Sequence, residues 1–279
     1  MRAALVAHRH TSTNNALARS SPELEILAPA EALCSLRAGD VAIGRLDVSE
    51  HLDGIEAGLW ELARLEGAGV RVLNRPRALI AAHDKLATSR ALAAAGVPHP
   101  RTVPISSASA VVPLDPPVVL KPRFGSWGRD VVLCEDQRAL RRHLGELAHR
   151  RWFKSHGALA QELIPPLGED LRIVVAGGSV VGAVRRVAAP GEWRTNVALG
   201  ATRHTAAPTP EASRLALEAA RAIEADLVGV DLLPTPDGGH VVIEVNGAVE
   251  FTAEYAPDGD VFERTTAALL GDPVAAAVA

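Results

Sequence analysis

Two carboxylates and an amide near the end of the chain have the makings of a cation site. Asp231 lies in the apolar run VGVDLL, residues 228–233, and Glu244 and Asn246 lie in VVIEVN, residues 241–246. Both runs read as strands, paired around Pro236-Asp237-Gly238. Residues two apart in a strand point to one face, so Glu244 and Asn246 share one. An unpaired carboxylate in such a run is costly. Two facing acids raise each other's pKa unless a cation stands between them. Hard oxygen ligands suit Mg2+, which takes one or two carboxylates and completes its shell with phosphate oxygens. The competing arrangement is that each acid pairs with an arginine.

A second constellation lies in VVLKPRFGSWGRDVV, residues 118–132. It reads as strand, glycine loop, strand. Gly125 and Gly128 allow the close approach that aims backbone N–H groups at an anion. Lys121 stands at the root, and Arg123 and Arg129 flank the tip. Of 29 Lys plus Arg, only Lys85, Lys121 and Lys154 are lysines. A compact ammonium reaches a phosphate where the wide guanidinium fork does not fit. Trp127 in this loop either packs or shields the site from water.

The elements that position these groups fall into three units. Residues 1–82 alternate strand and helix, which predicts a small parallel sheet flanked by helices. Its strands are expected at Ala3–Ala7, Glu23–Leu27, Val41–Gly44 and Val70–Leu73, with a helix over Ile55–Leu65. No G-x-G-x-x-G follows the first strand; the segment is HRHTSTNNAL. Thr11, Thr13, Asn14 and Asn15 cluster there, where open α/β sheets bind ligands. Thr13 or Asn14 could equally cap a helix. Asn74-Arg75-Pro76 reads as a linker. Residues 83–155 form a central unit with a helix over Asp84–Ala95, the glycine hairpin and a helix over Asp136–Ala148. Residues 156–279 form the last unit, opening on the strand Ala158–Leu163 and closing on an amphipathic helix over Asp260–Leu270. In the hairpin strand Ser179–Ala188, alternation places Arg185 and Arg186 on opposite faces, with Arg185 expected inward.

Composition bounds the function. A hydrophobic content of 48% with 3% aromatics implies cores of Ala, Val and Leu. A net charge of −4 argues against a nucleic-acid partner. Two cysteines, Cys34 and Cys134, form no metal or disulfide pattern, which suits a reducing cytoplasm. No apolar run reaches the length of a membrane span, and residues 1–20 do not read as a signal peptide.

Taken together, these segments resemble a RimK-type ATP-grasp carboxylate–amine ligase, within it the LysX/ArgX-like subgroup of amino acid–carrier-protein ligases. The resemblance rests on HDKLATSRALAAAGVPHPRT, VVLKPRFGSWGRDVV, QELIPPLGEDLRIVVAGG, WRTNVALGA, GVDLLP and EVNGAVEFT. It implies an ATP-grasp fold with an N-terminal parallel α/β domain, an α/β class overall with α+β character in the C-terminal part. It implies ATP contacts at Lys85, Lys121, Gly125, Ser126, Trp127, Gly128 and Arg129. Gln161, Glu162 and Leu163 match the segment that holds adenine, and Asp170 lies on the ribose side. Arg172, Arg185, Arg194 and Asn196 match the reaction end. Asp231, Glu244 and Asn246 match the ligands of Mg2+, with two ions expected. The amine substrate is expected near Thr13, Asn14, Asn15, Glu250 and Phe251. After Asn246 the subgroup reads N-H-T-M-E-F-K-N, whereas this chain reads NGAVEFTA. The loss of those polar groups implies an amino acid other than α-aminoadipate or glutamate.

The implied reaction activates a carboxylate as an acyl phosphate and then transfers it to an amine. The carboxylate is expected to be the C-terminal glutamate of a small acidic carrier protein. A free small-molecule or peptide carboxylate is the alternative, and a non-catalytic nucleotide-binding module the second. Arg141, Arg142, Arg150 and Arg151 either meet an acidic carrier or form a solvated helix face. A homo-oligomer, dimer or tetramer, is expected.

Overall fold

The computed structural model describes residues 1–271. Three sheets organise it. The first is parallel, in the order β2-β1-β3-β4, from β1 (Ala3–Val6), β2 (Leu24–Leu27), β3 (Val41–Gly44) and β4 (Arg71–Leu73). Helices α1 (Ser12–Ser20), α2 (Pro29–Ser35), α3 (Leu59–Gly67) and α4 (Pro76–His83) flank it. All four residues of β1 and of β3 are buried, as continuous apolar runs in a parallel sheet require. The expected helix over Ile55–Leu65 starts later. Ile55 is held in a bridge to Val48, and Gly58, at φ 127°, turns the chain into α3. Asn74 is no linker. Its buried amide donates to the Leu227 carbonyl at 2.6 Å and accepts from the Asp226 and Leu227 amides, while Pro76 opens α4.

Helix α5 (Lys85–Ala94) follows, capped by the Asp84 side chain. The second sheet has the order β5-β8-β6-β7, from β5 (Thr102–Ile105), β6 (Val118–Pro122), β7 (Val132–Cys134) and β8 (Ala158–Glu162). Helices α6 (Gln137–Leu147) and α7 (Arg151–His156) cover it, burying Leu140, Leu144, Trp152 and Phe153. Strand β8 thus belongs to the central sheet and does not open the last unit. Hydrogen bonding to both β5 and β6 decides its place.

The third sheet is antiparallel, β11-β10-β9-β12-β13, from β9 (Glu169–Ala176), β10 (Ser179–Val187), β11 (Thr202–Thr205), β12 (Leu227–Pro234) and β13 (His240–Asn246). Helix α8 (Pro210–Ala222) packs on it through Leu215, Ala216 and Ala219. Helix α9 (Val261–Leu270), capped by Asp260, reaches back to α1. One core joins Leu5 and Ile43 of the first sheet to Val174 and Val184 of the third, with Phe251 between them. The first and last units therefore share their apolar interior. Among the described residues no helix is long and apolar enough to cross a membrane.

Candidate active site

A cleft of about 970 Å³, open to solvent, lies between the second and third sheets under the glycine hairpin. Lys85 enters from the start of α5. That start is docked onto the hairpin root: Arg123 binds Asp84 with both Nε and Nη2, and the Lys85 amide donates to the Arg123 carbonyl at 3.1 Å. The Lys85 ammonium then lies 2.9 Å from Glu244 Oε1 and 2.5 Å from the Gly125 carbonyl. It links the last strand to the glycine loop.

Lys121 is buried on β6 and donates to Gln161 Oε1 of β8 at 2.7 Å. Gln161 in turn donates to Thr102 at 2.7 Å. Burial, then the nearby Lys85 charge, pushes the Lys121 ammonium down to about 7. Glu162 and Leu163 line the same wall.

The floor is an ion cluster on β9, β10, β12 and β13. Asp231 and Glu244 stand opposite each other in register. Arg172 donates Nε and Nη2 to the two Asp231 oxygens, each at 2.6 Å. Arg186 binds Asp170 through Nε and Nη2, and its Nη2 also reaches Asp231 at 2.9 Å. Burial pushes Asp231 upward, but Arg172 and Arg186 outweigh it and hold the acid at about 2. For Asp170 burial prevails and the carboxyl is raised, although Arg186 opposes it and Thr195 donates to it. Three cations (Lys85, Arg172, Arg186) thus meet three acids (Asp170, Asp231, Glu244), with Lys121 held beside them by Gln161. Such a floor suits a polyanion.

Several expectations need correction here. Arg185 does not face the cleft. Its side chain is 48% exposed and binds Glu169, whereas Arg186 is 5% exposed and faces the acids. The alternation of faces holds, but its phase is reversed. Arg186 stands beside Asp170 in the β9–β10 register, and Asp170 is the inward residue. The N-cap of α1 is Thr11, not Thr13 or Asn14. Thr13 is fully buried and exchanges two hydrogen bonds with the Phe251 backbone, while Phe251 is core. Asn14 and Asn15 donate to the carbonyls of Arg9 and His10. Neither Thr13 nor Phe251 presents a side chain to a ligand. Asp170 belongs to the ion cluster as well as lining the cleft.

Gly125, Ser126, Trp127, Gly128 and Arg129 arch over the cleft. Gly128 has φ +69°, and a Cβ there would stand 2.8 Å from Asn196 Oδ1. Trp127 is 55% exposed and lies under the Arg129 guanidinium at 5.6 Å, so packing does not account for it. Arg194 does not stand free at the reaction end. It forks onto Glu192 through Nε and Nη2 and donates Nη1 to the carbonyls of Gly128 and Val131 at 3.1 and 3.2 Å. Arg186 was expected to face away from the cleft, and Thr195 and Glu192 were not singled out from sequence. Only the E-x-R spacing of Glu192 and Arg194 offered a signal.

The residues proposed for Mg2+ offer only oxygen donors toward an ion. Asn246 Nδ2 is buried without a hydrogen-bond partner, so the amide is free to turn its oxygen toward an ion. Each acid has a cation partner in the protein: Asp231 pairs with Arg172 and Arg186, as the competing arrangement expected, whereas Glu244 pairs with Lys85 and not with an arginine. Among the described residues no three His, Cys, Asp or Glu side chains gather as a metal site. An ion here would need Asp231, Glu244 and Asn246 together with phosphate oxygens, a set that fits Mg2+.

The RimK-like ATP-grasp domain family matches residues 82–256. The glutamate–LysW ligase ArgX of Sulfurisphaera tokodaii is 32% identical over 218 residues, covering 75% of this chain and 76% of that one. Beta-citrylglutamate synthase B of Danio rerio is 31% identical over 199 residues, and the chain spans 48% of its length. Among solved structures, a RimK domain ATP-grasp protein from Sphaerobacter thermophilus superposes with a TM-score of 0.73 at 25% identity, covering 97% of this chain and all of that one.

Proposed function

The chain belongs to the RimK-like ATP-grasp family of carbon–nitrogen ligases, and on that premise we propose that it joins an amino acid to the C-terminal glutamate of a small acidic carrier protein. ATP-grasp ligases use ATP with Mg2+. In this reading Asp231, Glu244 and Asn246 would hold two such ions, which would supply positive charge to the phosphates.

The chain's own residues divide the rest of the work. Lys85 and Lys121 hold the phosphates, and the hairpin amides close over them. The acceptor carboxylate attacks the γ-phosphorus, forming an acyl phosphate and releasing ADP. The neutral amine then attacks the acyl carbon, phosphate leaves with its electron pair, and the nitrogen gives up its proton to the departing phosphate. Arg172 spends Nε and Nη2 on Asp231 and has no hydrogen bond from Nη1 among the described residues. In place of Arg185, that nitrogen is the donor for the tetrahedral oxyanion. We read the protein as a cytoplasmic homo-oligomer built of a pre-ATP-grasp domain and two ATP-grasp subdomains. The free cysteines agree with the compartment.

The observation that carries the proposal is the pair of lysines under the glycine hairpin, Lys85 at 2.9 Å from Glu244 and the buried Lys121 on Gln161. The test is ADP release with a synthetic peptide ending in glutamate and a mixture of amino acids, with products read by mass spectrometry. An amide on the terminal glutamate supports the reading. Product formed only from free citrate-like or glutamate-like carboxylates favours the small-molecule alternative, which the similarity to beta-citrylglutamate synthase B supports. ATP binding without ADP release in any combination overturns the ligase reading.

A further inference from the structure

The interiors of the three units come together at Asp84. Helix α4, on one side of it, buries Leu79 in the core of the first sheet. Helix α5, on the other side, buries Leu92 in the core of the third. The root of the glycine hairpin belongs to neither, because Phe124 is buried in the core of the second sheet. Asp84 and Phe124 meet in an isolated antiparallel bridge.

The buried Asp84 carboxylate does two things there. Its Oδ1 caps α5 by accepting from the Leu86 amide at 3.1 Å. Both oxygens also take the fork of Arg123, Nε on Oδ1 at 2.6 Å and Nη2 on Oδ2 at 2.5 Å. A bidentate, charge-assisted pair of this kind fixes direction as well as distance. On sequence Arg123 flanks the glycine tip, where an anion would lie. The structure turns it elsewhere. Neither Arg123 nor Asp84 is among the residues that line the cleft, and the guanidinium lies over the Phe124 ring at 5.9 Å.

The next residue in the chain is Lys85. Its ammonium spans the two walls of the cleft, from the Gly125 carbonyl at 2.5 Å to Glu244 at 2.9 Å. The helix that carries it packs on α8, β13 and β5, none of which bears the glycine loop. Where Lys85 stands relative to that loop is therefore decided at the hairpin root. One contact there is the Lys85 amide on the Arg123 carbonyl at 3.1 Å. A single hydrogen bond leaves rotation about itself free. The fork on Asp84, one residue away, removes that freedom.

We propose that Arg123 is a positioning residue: through Asp84 it fixes Lys85 against the glycine hairpin, and it does not touch the nucleotide itself. This inference rests on the reading above in which Lys85 holds phosphates of ATP.

A double-mutant cycle tests it, with ATP affinity in the presence of Mg2+ read by calorimetry. The four proteins are the wild type, Arg123→Met, Lys85→Met and the double variant. Arg123→Met should weaken ATP binding about ten-fold, the size of one charge-assisted hydrogen bond made badly. In the Lys85→Met background the same change should cost less than about two-fold, because two residues that act through one contact are not additive. A merely structural role would weaken binding equally in both backgrounds. Arg123→Lys keeps a charge on Asp84 but loses the fork. It should weaken binding with the same dependence on Lys85, and it carries the cycle where Arg123→Met does not fold. Equal losses in both backgrounds, or no loss beside an intact Lys85, overturn the inference. If Lys85→Met itself leaves ATP affinity unchanged, the phosphate reading of Lys85 fails, and this inference falls with it.

Discussion

Asp231 and Glu244 face each other across β12 and β13, and each is held by a cation of its own. Asp231 takes Arg172 and Arg186, and Glu244 takes Lys85. The two acids consequently answer differently to neutralisation. Glu244 is partly exposed, with a single ion pair, so Glu244→Gln should keep the fold and lower ATP turnover by about 100-fold or more. Asp231→Asn should also lose turnover, but it leaves two buried guanidinium groups short of a carboxylate. A loss of about 3–5 kcal/mol is expected. Urea unfolding of both variants, beside ADP release, checks the difference. Full turnover in either variant removes both acids from the site.

Arg185 and Arg186 are neighbours with opposite surroundings. Arg186→Met leaves Asp170 without its guanidinium and Asp231 with only Arg172, so it should destabilise the fold by about 3–5 kcal/mol and abolish activity. Arg185→Met removes one exposed pair with Glu169 and should change stability by less than about 1 kcal/mol. Thermal melts of the two variants, run side by side, decide the matter. Equal effects would place both arginines at the surface.

Lys121 carries a pH signature. Its folded value of about 7 lies below the ordinary 10.5 because burial and Lys85 disfavour its charge. Between those values the unfolded chain binds more protons than the folded one. This group therefore makes the fold more stable as pH rises from 7 toward 10.5. Bound phosphates favour the ammonium, so ATP binding near pH 8 should take up a proton. Calorimetry in buffers of different ionisation enthalpy should show uptake approaching one proton. Lys121→Met should abolish the uptake, and Lys121→Arg should bind ATP poorly because the fork does not fit. Lys154→Arg, on the exposed side of α7, should behave as wild type.

What the sequence made legible was local. Glycines beside a lone lysine mark a hairpin, and an acid two residues before an Asn in an apolar strand marks a shared face. These need only periodicity and residue type. The phase of β10 was not legible, because it depends on which residue of β9 lies opposite Arg186, a register set between strands. The placement of β8 was hidden for the same reason, since its partners lie on either side of it in space. Arg45, buried just after β3, was invisible because its partners, Asn14 and Glu250, come from the two ends of the chain. Asn74 read as a linker because its contacts lie 152 and 153 residues away.

The glycine hairpin is tied down from below by a side chain that is itself tied. Glu192 accepts from Nε and Nη2 of Arg194 and from the backbone amides of Trp193 and Arg194. These contacts, the Arg194 side chain first, hold its carboxyl at about 2, so it remains ionised throughout the working pH range. Arg194 is thereby left to donate only Nη1, which it gives to the Gly128 and Val131 carbonyls at the two sides of the hairpin tip. A lysine at position 194 cannot fork onto Glu192 and reach both carbonyls at once. Arg194→Lys and Glu192→Gln should therefore both loosen the hairpin over the cleft. A loose cover admits water, and water competes with the amine for an acyl phosphate. The expected signature is uncoupling: ADP released per amide formed should rise above one in both variants, while the wild-type ratio stays at one. Limited proteolysis within residues 124–131 should also become faster in the absence of nucleotide. Variants that lose rate but keep a ratio of one would show that Arg194 acts on the reacting groups directly and not through the hairpin.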